Sequence, residues 1–252
     1  MNGKWRKPAA VLVLAAAICM MAFAGIRMSE TARVYKEGNA AYDALSEQIK
    51  INDSYADIAV YIQNPDIDFD ALKIINEDAA AWLYSPGTDI DYPVMKADDY
   101  SYYLSHLPDG TYNANGTLFI DYNCASDFSD PLTVIYGHHM KSGKMFGSIV
   151  GYKEQGYYEE HPYMYLSTEQ ENYRIDLIYG CVIGAGQWRD RAFMYKENIS
   201  SLMAYAKEYT TFSSPVKYKA GDRVVALSTC SYEFDNARYV VIGILSRNVG
   251  NL

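Results

Sequence analysis

The sequence predicts a mainly β domain with added helices, preceded by an apolar N-terminal helix. From Ala79 onward, short runs of β-branched and aromatic residues alternate with turn residues, a texture typical of β-barrels and β-sandwiches. The region before that point has helical spacing, and the first residues combine a basic cluster with an uncharged apolar run. A chain of 252 residues fits one domain of roughly 200 residues with a short N-terminal appendage.

The N-terminal segment is expected to be a membrane anchor. Residues 1–8 form a basic tail with three cationic and no acidic side chains, and residues 9–26 carry no charge. Such a run is close to the length that crosses a hydrocarbon core of ~30 Å, with the basic flank on the cytoplasmic side. We therefore expect a single pass, a cytoplasmic N-terminus and an extracellular body. The alternative is a cleaved signal peptide, because Ala22-Phe-Ala24 matches a small-x-small cleavage site.

Residues 27–78 are predicted to form an N-terminal helical region. The first helix extends from Ser29, a plausible N-cap, to Lys50, and a second is expected within Asp68 to Glu77. The apolar residues of the first helix recur at spacings of three to four or seven: Val34, Ala41, Leu45 and Ile49.

Residues 79–252 form the predicted β domain. Neither a repeat nor a Pro-rich linker divides it, and one helical pattern, Ile199 to Tyr209, interrupts the strands. The strand-like runs are 81–84, 116–122, 132–136, 163–167, 173–183, 223–229 and 238–245.

Charge and cysteine content exclude some functions. The formal charge of -9 argues against a nucleic-acid partner, which needs cationic side chains against its phosphates. The four cysteines are too few and too scattered for a disulfide scaffold or a zinc site. Cys19 lies in the apolar run, so the exported body holds an odd number of thiols, and at least one is free or paired between chains. Cys124 and Cys181 are either bonded to each other or both free.

Three residue types at strand ends supply the parts for acyl transfer. Cys230 follows one predicted strand, and Arg238 begins the next, so both can face one pocket if these strands pair. His138 and His139 follow the strand Leu132 to Tyr136, where adjacent side chains point to opposite faces, so only one should face a cleft. A thiolate attacks a carbonyl, an imidazole moves protons, and a guanidinium stabilises the oxyanion.

Each of these residues also has a purely structural interpretation. A cysteine at a strand end is often a small buried hydrophobe, and an arginine there is often a surface charge. Paired histidines sometimes bind a metal ion, but divergent neighbouring side chains need further ligands that the sequence does not supply. We therefore expect no metal and no other cofactor.

Three separated motifs resemble those of the class B sortases. Tyr136-Gly-His-His-Met140 resembles their histidine motif, and Leu227-Ser-Thr-Cys230 and Arg238 resemble their cysteine and arginine motifs in order and spacing. The similarity covers roughly residues 75–247. Its upstream part runs through Ile90-Asp-Tyr-Pro-Val-Met95, Tyr102-Tyr-Leu104 and Gly116-Thr-Leu-Phe-Ile-Asp121.

The resemblance implies an eight-stranded β-barrel and a membrane-anchored cysteine transpeptidase. Such an enzyme cleaves a C-terminal sorting motif of exported proteins after threonine and passes the acyl group to an amine. The acceptor would be peptidoglycan, its lipid-linked precursor or a pilin lysine. By motif position Cys230 is the nucleophile, His138 the general acid/base, and Arg238 the oxyanion and substrate clamp. Loops around the groove, including residues 183–212, would read the sorting peptide.

Four further residues are candidate supporting groups. His139 would pack against or hydrogen-bond its surroundings beside His138. Ser228 and Thr229 either position the substrate or are ordinary strand residues. Asp121 either orients a catalytic group or is a turn residue.

Two rival functions remain open at this point. One is an exported cysteine peptidase that only hydrolyses, and the other is a membrane-anchored surface binding module in which Cys230 is structural. The binding module predicts a buried thiol remote from His138 and Arg238.

Overall fold

The computed structural model describes residues 6–51, 65–193 and 198–248. The α-helices in these ranges are α1 Arg6–Ile49, α2 Phe69–Ile75, α3 Gln155–Glu160, α4 Ala185–Phe193 and α5 Ser200–Glu208. Two 3-10 helices span Tyr102–Leu104 and Ser148–Lys153. The strands are β1 Ala79–Tyr84, β2 Asp91–Lys96, β3 Leu118–Ile120, β4 Leu132–Tyr136, β5 Tyr163–Ser167, β6 Asn172–Gly184, β7 Arg223–Cys230 and β8 Ala237–Arg247.

The eight strands close into a barrel in the order β1-β2-β3-β4-β7-β8-β6-β5, which confirms the predicted fold. The pairs β2–β3 and β4–β7 are parallel, and the others are antiparallel. Closure pairs both sides of every strand and leaves no open sheet edge.

Strand β7 shows why these residues form a barrel wall. Val225 and Leu227 point into the barrel core, whereas Val224 and Ala226 pack into a second apolar cluster outside it. This alternation follows from the two-residue period of a strand. The outer cluster contains Trp188 of α4 together with Leu202 and Met203 of α5, so β7 is buried on both faces.

Residues 6–49 form one continuous helix. The apolar run and the following amphipathic segment join in α1, and the Ser29 hydroxyl bonds to the Ile26 carbonyl inside it, so the prediction of an N-cap at Ser29 is wrong. The buried face of α1 consists of Gly38, Tyr42, Leu45 and Ile49. Val34 and Ala41, which were expected on this face, are half-buried.

The first part of α1 is compatible with a single-pass membrane anchor. From Val11 the helix is long and apolar enough to cross a membrane, and the 18-residue window that meets this criterion has a mean hydropathy of 2.2 and is 0% buried. The side chains of Leu12, Leu14 and Phe23 are more than half exposed. In a membrane, lipid would surround these exposed apolar side chains. The predicted boundaries at residues 8, 26 and 78 stay predictions.

Several elements differ from the sequence expectation. The run 116–122 forms only the short strand β3. At one end Gly116 has a φ of +59°, outside the β region, and at the other end Asp121 begins a turn. Strand β2 was not predicted. It contains Pro93, which faces Trp82 of β1 across the pair. Helix α4 was also missed, because its nine residues include Gly186 and are too few to show a clear helical period.

Candidate active site

A cleft lies at one end of the barrel, where β4 and β7 end and β8 begins. It encloses about 370 Å³, and its lining includes Cys230, His138 and Arg238. All three side chains are half-buried. The fold therefore brings the three candidate residues to one solvent-accessible pocket, although they come from three different strand ends.

Cys230 and Arg238 are direct cross-strand partners. Cys230 ends β7, Arg238 is the second residue of β8, and the antiparallel register places them opposite each other. Directly opposed residues on one face have Cβ atoms about 5 Å apart. One guanidinium nitrogen, Nη1, donates to the Ala237 carbonyl at 3.0 Å, which leaves further donors for a ligand. The pairing expected from the sequence is therefore present.

His138 reaches the same pocket because β4 and β7 are parallel neighbours. Tyr136 lies beside Ser228 in this pair, so the two strands finish at the same end of the barrel. The His138 Nε2 atom donates to the Leu104 carbonyl at 2.7 Å. Since a carbonyl can only accept, Nε2 carries the proton, and Nδ1 is the basic nitrogen of the neutral ring.

His139 points away from the cleft, as the alternation of an extended segment requires. Its Nδ1 atom donates to the backbone carbonyl of Cys230 at 2.9 Å, and its ring centroid lies 5.0 Å from that of Tyr232. His139 thus contacts the main chain of the candidate nucleophile, whereas His138 lines the pocket.

The two hydroxyl residues before Cys230 have different surroundings. Thr229 is buried, and its Oγ1 atom donates to the Gly137 carbonyl at 2.7 Å, which ties β7 to the segment that carries His138. Ser228 lines the cleft, and its buried hydroxyl finds no hydrogen-bond partner among the described residues.

Asp121 is a turn residue, and its second carboxylate oxygen contacts a residue of the cleft. Its Oδ1 atom accepts from the backbone N–H of Asn123 at 2.8 Å, which makes a turn. Its Oδ2 atom accepts from the hydroxyl of Tyr136, a cleft residue, at 2.9 Å. Asp121 is fully buried behind the cleft and positions Tyr136.

A polar clamp holds the loop that follows Cys230, and sequence reasoning missed it. The clamp consists of Lys153, Ser231 and Glu233. The Lys153 ammonium donates to the Ser231 hydroxyl at 3.0 Å and to the Glu233 carboxylate, which also accepts from Ser231. Although burial acts in the opposite direction, these two hydrogen bonds lower the pKa of Glu233 to about 2.

Other cleft residues were also missed as site residues. Tyr100, Leu104 and Trp188 line the pocket, and the guanidinium of Arg189 lies 4.5 Å from the Tyr100 ring centroid. Trp188 and Arg189 fall within the segment 183–212 that was expected to surround the groove. Their exact positions depend on how α4 packs on the barrel, which no local pattern reveals.

The remaining cysteines are unpaired thiols. Cys124 and Cys181 are buried and free, and Cys19 is exposed on α1. Burial raises the pKa of Cys124 to about 11 and that of Cys181 to about 12. Within residues 6–51, 65–193 and 198–248, no group of three or more His, Cys, Asp or Glu side chains is arranged to hold a metal ion.

Comparison with known proteins gives a consistent family. No protein-family model matches the chain. A protein described as sortase B from Listeria monocytogenes is 30% identical over 178 residues, which are 69% of this chain and 72% of the relative.

Solved structures have the same fold. A Staphylococcus aureus sortase B–substrate complex superposes with a TM-score of 0.72 at 22% identity, over 84% of this chain and 97% of the other. A structure described as sortase B complexed with Gly3 has a TM-score of 0.69 at 22% identity, over 84% and 98% of the two chains.

Proposed function

The chain belongs to the class B sortases, which are cysteine transpeptidases, and we propose from this membership the peptide bond that it cleaves and the amine that it acylates. The substrate is a C-terminal sorting motif of an exported protein, cut after threonine. The acceptor is an amine of peptidoglycan or its lipid-linked precursor, or a pilin lysine. The observation that carries the proposal is the cleft shared by Cys230, His138 and Arg238.

The first half of the reaction forms a thioester. The Cys230 thiol passes its proton to the neutral His138 ring, and the resulting thiolate attacks the threonine carbonyl carbon. The developing oxyanion is stabilised by the Arg238 guanidinium. The peptide C–N bond then breaks, and the leaving amine takes a proton from His138.

The second half releases the product. The acceptor amine attacks the thioester carbonyl, its proton passes to His138, and the C–S bond breaks to regenerate the Cys230 thiolate. The sorting peptide is thereby joined to the acceptor through a new amide bond. Two solved structures support both kinds of ligand, since one sortase B holds a substrate and another holds Gly3.

We also propose that residues 9–26 anchor the enzyme in the membrane with the barrel outside. The exposed apolar side chains of α1 support the anchor. The cationic residues before the apolar segment, Lys4, Arg6 and Lys7, support the orientation. An enzyme held at the extracellular face of the membrane would meet both exported proteins and lipid-linked precursors.

A peptide assay tests the reaction. The full-length protein is incubated with a library of candidate sorting peptides, with and without triglycine, and the products are identified by mass. We expect cleavage after threonine, a covalent adduct on Cys230, and a new amide that forms only with the amine. Cys230→Ala should abolish all three, and Cys181→Ala is the matched control.

The same assay separates the rival functions. Hydrolysis that triglycine does not alter would indicate a peptidase. Absence of both turnover and thioacyl adduct with every peptide would indicate a binding module. The half-buried position of Cys230 in a cleft with His138 and Arg238 argues against the second rival, which requires a buried and isolated thiol.

A further inference from the structure

We propose that helix α1 positions the imidazole of His138, by holding the loop that carries the carbonyl to which this ring is bonded. The loop, residues 102–117, is here called the histidine-support loop. The inference rests on the proposed role of His138 as general acid/base, and it gives the membrane-proximal helix a part in the reaction. It assigns Tyr42 and Gly38 as positioning residues.

The histidine-support loop contacts His138 directly. The Leu104 carbonyl accepts from Nε2 at 2.7 Å. Gly116 lies next to this contact, since a Cβ atom added to it would come 3.0 Å from Cδ2 of His138 and 2.8 Å from the Leu104 carbonyl oxygen. The backbone at Gly116 and Leu104 therefore fixes both the position and the tautomer of the ring.

Tyr42 of α1 bonds this same backbone. Its hydroxyl donates to the Gly116 carbonyl and lies 2.9 Å from the Thr117 hydroxyl, which in turn donates to the His106 carbonyl at 2.7 Å. Tyr42 is only 6% exposed, and burial raises its pKa, so the phenol stays protonated and remains a donor. One hydrogen bond from Tyr42 to Gly116 therefore links α1 to the backbone that lies against His138.

A close helix approach sets the geometry of this contact. A Cβ atom on Gly38 would lie 2.4 Å from Asn115 Nδ2 and 2.7 Å from Asn113 Oδ1, distances at which something must shift. Asn113 and Asn115 are both buried. Asn113 donates to the Val34 carbonyl at 3.0 Å, and Asn115 donates to Asn39 Oδ1 at 3.0 Å. Only glycine at position 38 lets the loop approach the helix this closely.

The continuity of α1 gives this docking a functional meaning. The sixteen residue-to-residue steps from Ile26 to Tyr42 span about 24 Å of helix at ~1.5 Å per step. A shift of the apolar segment relative to the barrel would therefore move Tyr42, then Gly116 and the Leu104 carbonyl. The angle between the anchor and the barrel would thereby set how well His138 is aligned for proton transfer.

The competing explanation is that the barrel holds the histidine-support loop without help from α1. The Thr117 N–H donates to the Tyr103 carbonyl at 2.8 Å, and the Tyr103 hydroxyl donates to Asp78 at 2.7 Å. If these bonds suffice, changes on α1 alter stability and leave the imidazole unchanged.

Two variants of the full-length protein in lipid nanodiscs test the proposal. Tyr42→Phe removes one hydroxyl and keeps the ring, and Gly38→Ala pushes the loop away while favouring the helix itself. The matched controls are Tyr35→Phe, at an exposed position of the same helix, and Gly25→Ala, where a Cβ atom has nothing within 4 Å.

We measure kcat and KM with a cleaved sorting peptide, and the pH titration of the His138 ring by proton NMR with ¹³C-labelled histidine, assigned by His138→Gln. We expect at least a five-fold loss of kcat, KM within two-fold of wild type, and a displaced His138 titration in both variants. The controls should match wild type in both measurements.

The outcomes are distinguishable. Folded Tyr42→Phe and Gly38→Ala proteins with a wild-type His138 titration would overturn the proposal, even if kcat had fallen. A wild-type protein without turnover would refute the proposed function. The NMR titration would still decide the inference in that case, because it needs no substrate.

Discussion

Replacing Tyr136 by phenylalanine removes the hydroxyl that bonds the buried carboxylate of Asp121. The Oδ2 atom of this carboxylate accepts from Tyr136 at 2.9 Å, and Asp121 is fully buried. The phenyl ring keeps its contact with Phe119, whose centroid is 5.4 Å away, so little packing is lost. The variant therefore isolates one hydrogen bond and leaves a buried charged acceptor short of a donor.

The expected cost follows from the charge on the acceptor. A hydrogen bond to a charged group contributes ~1.5–3 kcal/mol, so Tyr136→Phe should lower the free energy of unfolding by about 2 kcal/mol. For a body of roughly 200 residues this corresponds to a fall in Tm of about 4–8 °C. Thermal unfolding followed by near-UV circular dichroism of the full-length protein measures it.

A double-mutant cycle with Asp121→Ala tests the cause. Once the carboxylate is gone, Tyr136→Phe should cost less than ~0.5 kcal/mol, because no charged acceptor is left unpaired. A Tm within 1 °C of wild type for Tyr136→Phe alone would refute the reasoning. An equal cost in both backgrounds would do the same, since it would assign the loss to packing.

Three more outcomes are expected. The folded pKa of Glu233 is about 2, below its ordinary 4.5, so its stabilisation is complete above pH 4.5 and is lost as pH falls toward 2. In Glu233→Gln the free energy of unfolding should fall less on acidification than in wild type. The difference should be no more than ~1 kcal/mol, because the clamp is partly exposed. At neutral pH, iodoacetamide should label Cys230 and spare the buried thiols Cys124 and Cys181, as peptide mass mapping would show. Gly137→Ala should destabilise by ~1–3 kcal/mol, because its Cβ atom would lie 2.5 Å from a Leu118 methyl group.

Each of these expectations has a control or a contradicting result. If the free energy of unfolding has the same pH dependence in Glu233→Gln and in wild type, Glu233 does not titrate as described. Labelling of Cys181 at the rate of Cys230 would contradict its burial. Gly156→Ala is the control for Gly137→Ala, since nothing lies within 4 Å of that position, and equal Tm values for the two variants would contradict the crowding at Gly137.

Local patterns were enough to predict most of the strands and the pairing of Cys230 with Arg238. Strands β4 and β5 have the predicted bounds, because each is a short apolar run that ends at a turn. Cys230 and Arg238 were expected together because a short polar loop joins two strongly strand-like runs, and such runs pair with their neighbours. The opposite directions of His138 and His139 follow from the two-residue period of an extended chain.

The tertiary structure decided what comes from distant parts of the chain. His138 lines the same cleft as Cys230 because β4 lies parallel to β7, an arrangement that depends on barrel closure and the burial of both strand faces. Leu104, which bonds His138, and Trp188, which lines the cleft, are placed by packing across the fold. Residue order and periodicity specify which side of a strand a group occupies. Which strands become neighbours, and which loop or helix covers the site, depends on long-range burial that no local pattern encodes.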